Sequence, residues 1–507
     1  MGANLADLVR DAAAVRPDHQ ALVGGGGSLT WAQVDDAVDA AAGGLQALGL
    51  HRGDRVALVM GNVPEFVAAY FGMLRTNLVA VPANTASTAS EIRWLLSDSG
   101  AGAVVFDRGG AAAVRVVAAE MPDLRRAVVC APAPGETPFG SFSGAPRLAD
   151  TEDEDLAVLL FTSGTSGRPK GAMLSHGALL ASVEQVHALP HPAVTPDDVV
   201  LLVLPLSHVY ALNGTLAAVA RAAATAVLVE RFDPVETLEV IRREQVTNVP
   251  GAPPMYVAWS AEPGLADAFA LVRLLLTGAA PIPTAVVEQV RTATGLPVFE
   301  GYGLTETGPV LTTTLASPIP KGGSIGRPLP GVSIKLVAAG GEEIELTEDD
   351  FDDDAPGSPG TDPGEIVARG ANLFSGYWPD GRDGPGADGW WPTGDVAYAD
   401  GDGDLFLVDR LRELILVSGF NVYPYEVEQV LMAHPAVAEA AVLGVPHPYT
   451  GQTVKAFVVT SEPVATEELL AYCERNLARF KCPTAIEFVA SMPHSATGKV
   501  RKAALRG

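Results

Sequence analysis

Cysteine is scarce in this sequence. Cys130, Cys473 and Cys482 are the only three in 507 residues, and neither their number nor their spacing suits a disulfide framework or a zinc cluster, so a reducing cytoplasm is the expected setting. Positive charge is also short: 34 Lys and Arg stand against 60 Asp and Glu, a net charge of −26. Such a balance repels phosphate backbones and anionic membrane surfaces, so no nucleic-acid partner is expected and any nucleotide must be held by a local site. Long apolar runs are missing too. The longest uncharged stretch, 199–220, is interrupted by Pro205, Ser207, His208, Asn213 and Gly214, and reads as a buried strand, a functional loop and a helix rather than an integral membrane segment. The opening MGANLADLVRDAAAVRPDH carries acids early and no uninterrupted apolar core, so it reads as a first helix and not as a secretory signal. Ala6 stands where a myristoylation signal needs Ser or Thr.

What is present is a large globular chain. With 48% hydrophobic residues over 507 positions, more than one core is required and at least two domains are expected. From residue 5 to about 310, apolar β-rich runs such as 56–60, 103–106, 199–204 and 225–229 alternate with helical patterns such as 30–48 and 234–244. That alternation predicts an α/β fold with parallel sheets sandwiched between helices, plus a β-rich subdomain. The run GGEEIELTEDDFDDDAPGSPGTDPGE at 340–365 reads as a solvated acidic loop or, more sharply, as a cation site without EF-hand spacing. After Asp409 come the shorter segments LILVSG, PYEVEQVLMAH, EAAVLGV and TVKAFVVT and a basic tail, VRKAALRG. They predict a small α+β lid, giving domains at 1–408 and 409–507.

Residues 159–176, LLFTSGTSGRPKGAMLSH, run from an apolar strand end into Thr162, Ser163, Gly164, Thr165, Ser166 and Gly167, then Arg168, Pro169 and Lys170. Small residues let backbone N–H groups approach phosphate oxygens, hydroxyls add donors, and Lys170 adds charge. A flexible linker is the bland reading, but linkers seldom follow a buried strand and then resume apolar patterning. Gly171 after Lys170 excludes the GxxxxGK[ST] nucleotide loop. Taken with LPLSHVYALNG at 204–214, GYGLTETG at 301–308, TGD at 393–395, DRLRELILVSGFNVYPYEVE at 409–428 and HSATGK at 494–499, the loop resembles the adenylate-forming superfamily. That superfamily includes acyl-CoA synthetases, beetle luciferases and adenylation domains of nonribosomal peptide synthetases. The resemblance covers essentially the whole chain, and fatty-acid-CoA ligases are the most similar branch.

The resemblance implies ATP, Mg²⁺ and coenzyme A as co-substrates and cofactors, and a residue set. Tyr302 would face adenine, Thr305 would reach the α-phosphate, and Glu306 would be the metal ligand, a hard oxygen donor. Glu300 and Gly301 lead into that motif, and Gly278, Ala279 and Ala280 resemble the segment flanking adenine and acyl chain, although a tight turn uses small residues as well. Asp395 has the charge and reach for both ribose hydroxyls, with Arg410 similar to the ribose-contacting arginine. Lys499 occupies the place of the adenylation lysine, a compact cation on a mobile lid. Arg412 stands at the hinge, where relatives carry Asp or Lys. His208 reads either as a gate beside the reacting carboxylate or as a satisfied core histidine.

The segments expected to line the acyl site, 207–214, 249–256, 278–283 and 301–310, contain no Lys or Arg, and Glu306 is their only acid. A second substrate carboxylate would be desolvated without a partner, at several kcal/mol, and no Asp is available in SHVYALN for an amino group. An apolar monocarboxylic acid remains, with a medium or long fatty acid expected and an aromatic acid as the alternative. The acceptor is expected from solution: coenzyme A, or alternatively a separate carrier protein. A homodimer is compatible with the resemblance, and a catalytically silent nucleotide- or acyl-binding protein is the reading from a different class.

Overall fold

The structure, a computed structural model, describes residues 3–148, 150–162, 169–338, 340–344, 360–410, 413, 415–417, 420–447, 449–494 and 500–505. The chain separates into two compact units, one of Met1–Gly322, Pro328–Val332 and Arg369–Trp390, the other of Gly323–Arg327, Ser333–Ala368 and Trp391–Gly507.

The first unit holds two mainly parallel sheets, as the β-rich runs separated by helical patterns require. One sheet runs Thr312–Thr313, Val298–Tyr302, Leu274–Thr277, Asn248–Gly251, Val199–Leu202, Thr225–Leu228, Gln20–Gly24 and Gly27–Thr30. The other runs Thr137–Pro138, Arg125–Val128, Ala103–Phe106, Arg55–Val59, Val79–Ala83, Leu156–Thr162 and Lys170–Ser175. Strands such as Ala103–Phe106 and Val79–Ala83 are buried at every position, which is why their sequences are unbroken apolar runs: a parallel strand covered on both faces has no solvent side. The helix Trp31–Ala47 starts where a capping box forms, Thr30 Oγ1 accepting from the Gln33 N–H and Gln33 Oε1 from the Thr30 N–H.

Asn62, just past the strand Arg55–Val59, joins the two sheets. Its buried side-chain amide donates to the carbonyls of Leu202, Leu204 and Val229, and its Oδ1 accepts from the Leu206 N–H. These bonds fix the loop that carries His208 at the carboxyl ends of the strands, where open α/β sheets bind ligands. The uncharged stretch 199–220 resolves into the strand Val199–Leu202, a π-helix Tyr210–Ala217 and the helix Ala218–Ala222. Among the described residues no helix is long and apolar enough to cross a membrane.

The second unit contains a sheet ordered Glu343–Ile344, Ser333–Val337, Gly364–Arg369, Trp391–Ala399 and Leu405–Arg410. A separate sheet is ordered Phe420–Val422, Ile415–Val417, Gly451–Thr460 and Val437–His447, with Ala485–Phe488 parallel to Gly451–Thr460. The helices Pro424–Met432 and Thr466–Asn476 complete it. The boundary expected at 408/409 lies inside this unit, within the strand Leu405–Arg410 that ends the first of its two sheets. Of the acidic run, 345–359 lies outside the described residues.

The C-terminal sheet is tied by a buried charge cluster. Lys502 Nζ lies 2.7 Å from Glu413 Oε2 and 2.8 Å from Glu428 Oε1, and Glu428 Oε1 also accepts from the Val442 N–H at 2.7 Å. Burial disfavours the ammonium, but Glu428 and Glu413 outweigh it and hold Lys502 above the usual lysine range. Lys502→Met strands two inward carboxylates. The expected loss of local stability is near the lower end of about 3–5 kcal/mol, because 17% of the lysine side chain still meets solvent. Hydrogen exchange checks this: amides of Val437–His447 and Gly451–Thr460 should exchange faster while those of the N-terminal sheets stay unchanged.

Candidate active site

Leu156–Thr162 and Lys170–Ser175 form an antiparallel pair in which Thr162 sits opposite Lys170, with the glycine- and hydroxyl-rich loop between them. The geometry follows from the sequence: two apolar strand segments flank a stretch that cannot pack as strand. Of the loop residues, Ser163, Gly164, Thr165, Ser166 and Gly167 lie outside the described residues, as do Arg412 and Lys499. Thr162 Oγ1 approaches the Lys170 carbonyl at 3.4 Å.

Lys170 and Glu306, 136 positions apart in sequence, meet at Tyr377. The Lys170 ammonium lies 4.6 Å from the centroid of the Tyr377 ring, and the Tyr377 hydroxyl donates to Glu306 Oε1 at 2.6 Å. Lys170 Nζ also pairs with Asp383 Oδ2 at 2.9 Å. The segment carrying Tyr377 is fixed by its backbone: the Phe374 N–H donates to the Glu306 carbonyl at 2.9 Å and the Trp378 N–H to the Gly171 carbonyl at 2.8 Å. Glu306 is buried, and no Lys or Arg pairs with it among the described residues. One carboxylate oxygen is thus engaged by a neutral donor while the negative charge stays uncompensated, which suits a cation bridged to phosphate oxygens; Mg²⁺ commonly takes only one or two protein carboxylates. No cluster of three metal-ligating side chains occurs among the described residues.

Thr305 and Glu306 begin a short 3₁₀ turn, Thr305–Thr307, directly after the strand Val298–Tyr302. Glu300 is fixed on that strand by its N–H to Thr314 Oγ1 and its carbonyl from Thr313 Oγ1, and Tyr302 is buried at the strand end. Gly278 follows the adjacent parallel strand Leu274–Thr277. A Cβ there would lie 3.1 Å from the Gly301 carbonyl oxygen and 3.5 Å from Tyr210 Cε1, so a larger residue would push into the neighbouring strand and the tyrosine. Ala279 holds φ +70°, a left-handed conformation that non-glycine residues adopt at a cost of about 1–3 kcal/mol and that clusters at functional sites. Ala280 is half-buried beside it.

His208 lies partly buried ahead of the π-helix, a helix type frequent at functional sites. Its Nδ1 is shielded from solvent and has no hydrogen-bond partner among the described residues. Burial lowers its pKa, so the imidazole is neutral near pH 7. Burial likewise pushes the Tyr210 phenol up, keeping the wall beside Gly278 uncharged.

In the second unit Asp395 and Arg410 face each other across the antiparallel strands Trp391–Ala399 and Leu405–Arg410. Asp395 is buried, and its N–H donates to Thr393 Oγ1 at 3.1 Å. Glu365 lies close by, its Oε1 accepting from the Gly394 N–H at 3.0 Å. Burial raises the Glu365 carboxyl above its ordinary range; the Gly394 bond opposes this and the Asp395 charge adds to it. Sequence reasoning missed Tyr377, Asp383 and Asn62. The only local sign of the first two was an aromatic pair inside the turn-rich run SGYWPDGRD.

Two family models match this chain: AMP-binding enzyme over residues 9–378, and AMP-binding enzyme C-terminal domain over 426–499. A long-chain-fatty-acid–CoA ligase of Escherichia coli O157:H7 is 34% identical over 99% of this chain and 94% of its own length. A feruloyl-CoA synthase of an Amycolatopsis species is 35% identical over 97% of this chain and 96% of its own length. Among solved structures, ATP-bound MatB from Rhodopseudomonas palustris superposes with TM-score 0.89 at 30% identity, covering 100% of this chain and 98% of that one.

Proposed function

Since this chain belongs to the AMP-binding enzyme family, we propose that it activates an apolar monocarboxylic acid, of the medium- or long-chain fatty class, as its acyl-adenylate before passing the acyl group to coenzyme A. The coarser statement stands on the comparisons: the chain is an ATP-dependent acyl- or aryl-CoA ligase. The observation that carries the finer roles is the contact run Lys170–Tyr377–Glu306, which gathers a cation and an acid from two motifs beside the glycine-rich loop.

In the first half-reaction a carboxylate oxygen attacks the α-phosphorus and pyrophosphate leaves. Lys170 and the loop hydroxyls screen the departing phosphates, Thr305 donates to the α-phosphate, Tyr302 lies against adenine, and Asp395 accepts from the ribose hydroxyls. Mg²⁺, where bound, supplies charge neutralisation on the phosphate oxygens; Glu306 would hold it. His208, neutral and with Nδ1 unsatisfied, donates to or packs beside the substrate carboxylate. Lys499 serves this step alone. A rotation about the segment containing Arg412 then withdraws it, and the coenzyme A thiol attacks the acyl carbon with AMP as leaving group.

An aromatic acid is the second reading, favoured by the identity to the feruloyl-CoA synthase and by the Tyr210 ring packed against Gly278. An ATP-dependent CoA-consumption screen from acetate to oleate, with benzoate and cinnamate, separates the two. The expected result is the highest kcat/KM for a medium or long fatty acid. A maximum at cinnamate selects the aromatic reading, an adenylate that accumulates with CoA present selects a carrier-protein acceptor, and no pyrophosphate exchange with any acid would leave only a silent binder.

A further inference from the structure

We propose that Tyr377, which belongs to none of the motifs read from the sequence, is a positioning residue that fixes which oxygen of Glu306 faces the nucleotide's metal. The inference rests on the reading of Glu306 as the metal-side acid. A glutamate's terminal torsion is soft and two-fold, so a buried carboxylate without a fixed partner presents either oxygen. The Tyr377 hydroxyl removes that freedom by engaging Oε1 at 2.6 Å.

The tyrosine itself is held from three sides. Its N–H donates to the Arg382 carbonyl at 2.9 Å, and the bonds from Phe374 N–H to the Glu306 carbonyl and from Trp378 N–H to the Gly171 carbonyl tie the segment to the 3₁₀ turn of one partner and the strand of the other. Its ring meets Phe374 edge-on, with centroids 5.0 Å apart, and seats the Lys170 ammonium on the other contact. One side chain therefore sets the spacing between the lysine of the phosphate loop and the acid of the metal side. Groups that orient a metal ligand commonly change metal affinity or activity by about 10–100-fold when removed.

The test separates the hydroxyl from the ring. Tyr377→Phe keeps the ring contacts with Phe374 and Lys170 and removes the hydroxyl that bonds Glu306, so thermal unfolding should match wild type. Calorimetry on the full chain compares ATP with Mg²⁺ and ATP in EDTA. The expected result is about tenfold weaker Mg²⁺-dependent ATP binding with metal-free ATP binding unchanged, and a pyrophosphate-exchange kcat that falls while KM for the acid stays put. A Phe variant equal to wild type in both, alongside a Glu306→Gln variant that loses the metal dependence, overturns the proposal and leaves Tyr377 as packing. A Glu306→Gln variant that keeps the full metal dependence instead removes the role of Glu306, and the role of Tyr377 with it.

Discussion

Lys499→Ala loses ATP–pyrophosphate exchange by about 10²–10³-fold, the effect of deleting one preorganised donor to a developing charge, while thioester formation from a supplied acyl-adenylate keeps most of its wild-type rate. The split follows from where the lysine is carried. The described residues that flank 495–499 are joined by the antiparallel bridge His494–Val500 and by the Arg501 N–H to the Pro493 carbonyl at 2.7 Å. Two residues past that bridge, Lys502 is buried against Glu413 and Glu428. On the proposed reading the lysine acts in the first half-reaction alone and has no part once AMP becomes the leaving group. Single-turnover assays of each half-reaction decide the matter: equal losses in both would mean that Lys499 serves folding or general charge rather than adenylation.

Glu306→Gln is expected to be as damaging, again about 10²–10³-fold in pyrophosphate exchange, and the loss should not be recovered at high Mg²⁺. Glutamine matches the shape, and its amide oxygen can still accept from Tyr377, so the buried position loses charge without losing volume. A neutral amide would hold a divalent ion between protein and nucleotide less well, and with the ion goes the screening of the negative charge gathered at the transferring phosphate. The measurement is exchange rate against Mg²⁺ concentration with the fatty acid saturating. A variant within a few-fold of wild type at every concentration would show that the glutamate packs the 3₁₀ turn and does no more.

Local chemistry carries a long way in this chain. The fully buried strands announce themselves as apolar runs, and the helical pattern that begins at Thr30 starts where the structure places its capping box. Asp395 and Arg410 each lie in a short ordered motif; that they are register partners across one strand pair is information a motif does not hold. Glu365, whose carboxyl burial raises beside Asp395, gives no local sign at all.

By itself the sequence determined the fold class and the family, because period, turn chemistry and motif order are properties of neighbouring residues. Only the tertiary structure decided which distant groups share a site. Tyr377 meets Glu306 and Lys170 because backbone bonds from 374 and 378 reach a 3₁₀ turn and a separate strand, and Asn62 fixes the His208 loop because two sheets end side by side. Those contacts depend on how sheets stack and where loops cross, quantities that no window of residues encodes.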